Sequence, residues 1–257
     1  MTILWALRLE YDGTAFVGWQ RQVNGLSVQQ ILEEAATKLN AGIPVASIVA
    51  GRTDAGVHAT AQVAQLPLPA HFTAERVREA LNFHMKPHRV AVLDVAHAPA
   101  GWNARFSAIR RCYRYRILNR HARAALLADR VWHIPRTLDA NAMHAAAQML
   151  LGQHDFTSFR AASCQAKSPL RTLDRLDVTR IGDIIEITAE ARSFLYHQVR
   201  NMTGTLKLVG DGSWPASRVA TALAARDRAA AGATAPPEGL CLTGVFYPID
   251  PFIADPA

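Results

Sequence analysis

Apolar and polar residues alternate from Leu4 to Tyr11, the two-residue period of a strand with one buried face. Ser27 stands three residues before Gln30 in a capping-box pattern. Val28, Ile31, Leu32, Ala35 and Leu39 then recur at helical spacing, which predicts a helix over 27–40. Two short apolar runs, 45–50 and 61–68, read as strands. The turn between them is Gly51-Arg52-Thr53-Asp54-Ala55-Gly56-Val57-His58. Thr73 can cap a second helix carrying Val77, Ala80 and Leu81, and 90–98 predicts a further strand. That order is β-α-β-β-α-β, the ferredoxin-like unit.

The second half repeats the order. It has a strand over 111–118, a helix over 139–151, strands over 173–181 and 183–191, a helix over 195–209 and a last strand over 240–247. An alanine- and arginine-rich stretch, 217–231, adds one more helix before Ala235-Pro236-Pro237. The expected fold is α+β, two ferredoxin-like halves spanning 1–103 and 104–257, with antiparallel sheets joined around a central cleft. Functional sites often occupy such clefts.

Composition narrows the partners. Half of the 257 residues are hydrophobic, yet no run of about 18 apolar residues occurs, so no bilayer-spanning helix is expected. The first residues enter a strand pattern without a basic, then apolar, leader, which makes the cytoplasm the expected location. Net charge is +7, and only four of the 28 basic residues are lysine. A GC-rich genome would produce the same arginine bias, so the clustering is more informative. Arg105, Arg110, Arg111, Arg114, Arg116, Arg120 and Arg123 are interleaved with Phe106, Tyr113 and Tyr115, a pattern suited to phosphates and stacked bases. Cys112, Cys164 and Cys241 form no C-x-x-C pair, and the ten histidines show no ligand spacing. Neither a metal nor a nucleotide cofactor is expected, since no glycine-rich phosphate loop occurs either.

Asp54 is the carboxylate that draws attention. Gly51 and Gly56 allow the backbone around it to turn sharply, and Arg52 and His58 supply two potential cationic donors. Taken alone, such an aspartate can equally be bonding its own backbone.

The whole string from Gly51 to Val63 resembles the catalytic segment of the tRNA pseudouridine synthase A family. Four further segments match in order. Tyr11-Asp12-Gly13-Thr14 with Gly18-Trp19-Gln20-Arg21-Gln22 resembles the family's opening, followed by Ser27-Val28-Gln29. Ala104-Arg105-Phe106-Ser107-Ala108, leading to Tyr113-Arg114-Tyr115, resembles its central strand. Phe194-Leu195-Tyr196-His197-Gln198-Val199-Arg200-Asn201, and then Glu238-Gly239-Leu240, resemble its C-terminal part. The resemblance implies two RNA-recognition-like halves and a cytoplasmic homodimer without cofactor. The implied activity converts uridine to pseudouridine at positions 38, 39 and 40 of the tRNA anticodon stem-loop.

It also implies roles. Asp54 is the expected catalytic carboxylate, as nucleophile or as base toward a ribose proton, and Arg200 its guanidinium partner. Helical spacing puts Arg200 on one face with His197 and Gly204. Tyr113 occupies the family's active-site position, where its ring can stack on uracil and its hydroxyl can take the C5 proton. On a strand it shares a face with Tyr115 and Ile117. Arg52 either fills the space left by a flipped base or contacts phosphate. His58 and Phe194 complete the candidate substrate contacts, with Tyr196 a further wall. Phe16-Val17 and Cys112 depart from the commonest family pattern and concern local RNA contacts. A non-catalytic RNA binder would share the charge and strand order but leaves the Asp54 turn unexplained. An N-glycoside hydrolase would want a second carboxylate, and no paired motif accompanies Asp54.

Overall fold

The computed structural model describes residues 1–253; residues 254–257, the end of the expected C-terminal half, lie outside the described residues. The chain divides into two compact units, one of Met1–Arg110 with the segment that begins at Leu242, the other of Arg111–Cys241.

In the first unit the elements are β1 (Thr2–Tyr11), α1 (Val28–Leu39), β2 (Ile48–Val49), β3 (His58–Pro69), α2 (Ala74–His84) and β4 (Val90–His97). β1 is central, antiparallel to β3 on one side and β4 on the other. β2 lies against β3 at Ile48 and Val49, so the expected strand over 45–50 shrinks to two residues. Ser27 caps α1 by accepting from the Gln30 N–H at 3.2 Å. The Gln30 side chain bonds Glu34 rather than returning to Ser27, so half of the capping box forms. Its loss by Ser27→Ala would cost about 1 kcal/mol. Along α1 the expected Val28, Ile31, Leu32 and Ala35 are buried, whereas Leu39 at the helix end is half-buried and Ala36 joins the stripe instead.

The final strand, β10 (Leu240–Phe246), continues this sheet beside β3. Ala6, Val63, Trp102, Ala104, Ala108 and Tyr247 form one buried cluster, and the Tyr247 hydroxyl donates to the Ala104 carbonyl at 2.7 Å. Packing therefore places residues 104–110 and the chain's return with the first unit, whereas the halves 1–103 and 104–257 follow the sequence repeat.

The second unit contains β5 (Arg110–Leu118), β6 (Trp132–His133), α3 (Ala140–Ala147), β7 (Gly152–Asp155), β8 (Leu170–Ile181), β9 (Ile184–Ala191), α4 (Gln198–Gly210) and α5 (Ser217–Ala225). Its sheet runs β5-β9-β8-β7, all antiparallel, with the short β6 parallel to β5. The helix expected over 139–151 ends at Ala147 and tightens into a 3-10 turn over Gln148–Leu150. α4 starts later than 195 because His197 adopts a positive φ of 63°. The Gln198 side chain meanwhile accepts the Leu195 N–H. The helix over 217–231 breaks at Arg226, also left-handed at φ 49°, where Asp227 caps a short 3-10 turn. The expected elements recur in order, with the short strands β6 and β7 added in the second half, and the fold is α+β with mainly antiparallel sheet. Among the described residues no helix is long and apolar enough to cross a membrane.

Candidate active site

β1 ends at Tyr11, and the chain then makes a 3-10 turn over Gly13–Ala15, capped by Asp12. Onward to Trp19 it clasps the Asp54 turn. The Trp19 N–H donates to the Thr53 carbonyl at 3.0 Å, and the Gly56 N–H to the Phe16 carbonyl at 3.2 Å. Within the turn, the Val57 N–H donates to the Asp54 carbonyl at 3.1 Å. Gly18 holds φ at +107°, and a methyl group there would sit 2.6 Å from the Thr53 carbonyl oxygen. Close approach of two backbones, not turning alone, is what demands glycine here. Asp54 is consequently half-buried on a backbone held from two sides.

Arg52 is exposed at the edge of this turn. His58 is buried, and its Nδ1 accepts the Gly13 N–H at 3.0 Å, with Asp12 Oδ1 3.3 Å away. His58 thereby ties the 3-10 turn at Gly13 to the start of β3.

In the second unit Tyr113 lies on β5 opposite Ala189 of β9. It is buried, and its ring meets that of Phe194 edge to face at 5.2 Å. Tyr115, on the same strand face, is deeper; its hydroxyl donates to the Pro236 carbonyl at 2.8 Å. Burial, aided by the Glu238 charge and opposed by Arg200, pushes the Tyr115 phenol far above its ordinary value. Tyr196 is exposed, with its ring 3.9 Å from that of His197.

Arg200 sits in the first turn of α4, gripped by one residue. Its Nε donates to the Ala235 carbonyl at 2.8 Å, and the Ala235 N–H returns to the Arg200 carbonyl at 3.1 Å. Gly204, one turn later, makes this possible: a methyl group there would fall 1.8 Å from the Ala233 carbonyl oxygen. The strap over 233–235 thus lies directly on the helix and fixes the guanidinium plane. The sequence marks this stretch only as a turn before Pro236, and the pairing of Gly204 with it was not legible.

The candidate residues therefore fall into two local groups: Arg52, Asp54 and His58 in the first unit, Tyr113, Phe194 and Arg200 in the second. Of the basic cluster, Arg114 and Arg116 each approach Glu186 at 3.5 Å, two guanidiniums to one carboxylate. The Arg105 guanidinium lies over the exposed Phe106 ring at 5.4 Å.

The profile of the family described as tRNA pseudouridine synthase matches residues 9–107 and 146–248. A protein of Acidiphilium cryptum named tRNA pseudouridine synthase A is 69% identical over 249 residues, 96% of this chain and 98% of that protein. Proteins of the same name from Rhodospirillum centenum and Gluconobacter oxydans are 60% and 57% identical. They cover 95% and 96% of this chain, and 99% and 91% of their own lengths. The chain belongs to the tRNA pseudouridine synthase family. As a tRNA pseudouridine synthase it is an isomerase that acts on tRNA. The two matched stretches contain the Asp54 turn and the Arg200 helix; Tyr113 lies in the interval between them.

Proposed function

We propose that this synthase isomerises uridine at positions 38, 39 and 40 of the tRNA anticodon stem-loop, with Asp54 as nucleophile. The C1′–N1 bond breaks, the base turns, and a C1′–C5 bond forms. C5 loses a proton and N1 gains one, so product and substrate are isomers and no co-reactant is consumed. The observation that carries this reading is the half-buried Asp54 on a turn clasped by residues 13–19. A nucleophile held in place avoids much of the entropic cost of meeting its target.

The target base is flipped from its stack, at a cost of a few kcal/mol. Arg52, exposed beside the turn, contacts the displaced strand or fills the vacated space. Tyr113 stacks on the uracil and receives the C5 proton through its hydroxyl, with Phe194 as a wall behind its ring. Arg200, its Nε held by the Ala235 carbonyl, is the catalytic guanidinium of this reading. The enzyme works in the cytoplasm as a homodimer without a cofactor.

Carbodiimide-based mapping of an unmodified tRNA transcript tests this, with wild type beside Asp54→Asn. Pseudouridine in the anticodon arm with wild type alone is the expected result. Modification elsewhere would overturn the position, and turnover by Asp54→Asn would remove the nucleophilic role. A single sedimentation species of one-chain mass would remove the dimer.

A further inference from the structure

Behind the Asp54 turn lies a polar chain that the reaction itself does not account for. Gln62 of β3, Tyr11 at the end of β1 and Thr53 in the turn are all buried, with Gln62 wholly so. The Gln62 Nε2 amide donates to the Gly51 carbonyl at 2.8 Å and to the Tyr11 hydroxyl at 3.2 Å. Its Oε1 accepts the Val63 N–H at 3.2 Å. With both amide hydrogens committed, the Gln62 side chain has one orientation. The Tyr11 hydroxyl also shares a hydrogen bond with Thr53 Oγ1, 2.7 Å away, in which either oxygen can donate. Gln62, Tyr11 and Thr53 thus form one continuous hydrogen-bonded chain.

Two attachment points matter. Gly51 and Thr53 flank Arg52, Thr53 directly precedes Asp54, and both are tied to the central strands through this chain. The Trp19 N–H already holds the Thr53 carbonyl from the opposite side, and the Trp19 ring lies 6.1 Å from that of Tyr11. A folded hairpin turn needs no such device: the sheet register and the glycines suffice to reverse the chain. Buried polar networks that are fully satisfied fix one conformation, and partial satisfaction is costly. Here the conformation fixed is that of the backbone entering Asp54.

We propose that Tyr11, Thr53 and Gln62 are positioning residues for the reaction, holding the Asp54 carboxylate at its attack geometry through a buried hydrogen-bond chain. This rests on Asp54 being the nucleophile. Displacements below an ångström reduce rates steeply when attack geometry is the source of acceleration. Binding of tRNA, spread over many phosphate contacts, has no such dependence on one turn.

The experiment measures kcat and KM for tRNA, with melting temperature, for Tyr11→Phe, Thr53→Val, Thr53→Ser and the Tyr11→Phe/Thr53→Val double variant, beside Asp54→Asn. Tyr11→Phe and Thr53→Val should each lower kcat on the order of ten- to a hundredfold with KM within about twofold. Thr53→Ser, which keeps the hydroxyl, should restore kcat to within a few-fold of wild type. The double variant should be no slower than the slower single one, since both break one chain. Should Tyr11→Phe fail to fold, the Val and Ser exchanges at Thr53 decide alone. Wild-type kcat in Thr53→Val, additive losses, or a loss confined to KM would overturn the positioning role. Those results beside an inactive Asp54→Asn leave the nucleophile standing, whereas an active Asp54→Asn sinks the nucleophile itself.

Discussion

Gly18→Ala is the sharpest single perturbation of the Asp54 turn that does not touch a reacting group. At φ +107° any Cβ is strained, at about 1–3 kcal/mol. The new methyl group would also stand 2.6 Å from the Thr53 carbonyl oxygen, 3.0 Å from the Asp54 carbonyl carbon and 3.1 Å from the Ala55 nitrogen. All three are backbone atoms, so no side chain can swing aside. Ordinary contact begins near 3.4 Å, so the two segments must part by about 0.8 Å, and the Trp19-to-Thr53 hydrogen bond lengthens with them. A shift of that size at the nucleophile should lower kcat by roughly a hundredfold, beyond the loss of stability. Gly42→Ala is the matched control: φ is +82° in the same unit, with nothing within 4 Å of the added methyl group. Urea denaturation would show comparable destabilisation in both variants, within about 2 kcal/mol. Single-turnover pseudouridine formation should fall only for Gly18→Ala. Equal rates in the two variants would refute the claim that this contact sets the Asp54 geometry.

Other sites give further expectations. Gly204→Ala forces the strap off α4 and should destabilise the protein by about 2–4 kcal/mol in urea titrations, with Arg200 activity lost in whatever folds. Arg200→Lys removes the Nε donor to the Ala235 carbonyl and the planar fork; kcat should drop by roughly a hundredfold or more, with melting temperature nearly unchanged. Tyr115 gives a pH signature. Its folded phenol is raised, mainly by burial, so its stabilising contribution is complete below the unfolded value near 10. As pH rises above that toward the folded value, stability should fall by about 1.4 kcal/mol per pH unit from this group. Tyr115→Phe should lose about 1–2 kcal/mol at neutral pH with its Pro236 bond, and show a shallower alkaline decline in denaturation midpoint.

What the sequence revealed depended on how local the cause was. The α1 stripe and its Ser27 cap arise from short-range periodicity and are legible in the sequence except at the helix's end, where Ala36 rather than Leu39 is buried. The apolar run predicts β3 from 61, but the strand begins at His58. Gln62 and Gln65 interrupt its apolar pattern because they are buried for hydrogen bonding, Gln65 to the Ala104 N–H. The motif strings located Asp54 and Arg200, yet not what holds them. The Ala235 N–H on the Arg200 carbonyl and the Trp19 N–H on the Thr53 carbonyl are main-chain contacts between distant segments, to which side-chain identity contributes little. Only the glycines betray them, and a glycine in a string does not say which backbone lies against it. The helix break at Arg226 was hidden for a related reason: its left-handed φ belongs to a residue with no intrinsic preference for it.

The return of the last strand to the first unit orders the birth of the protein on the ribosome. The unit bearing Asp54 emerges first but lacks β10 and Tyr247, which join the Ala6, Val63 and Trp102 cluster. From Arg110 to Leu242 roughly ten seconds of translation elapse. The second unit is one continuous stretch and can close as soon as it is released. The half made first is thus finished last, and a chain that stops short of Leu242 leaves the Asp54 half without its closing strand.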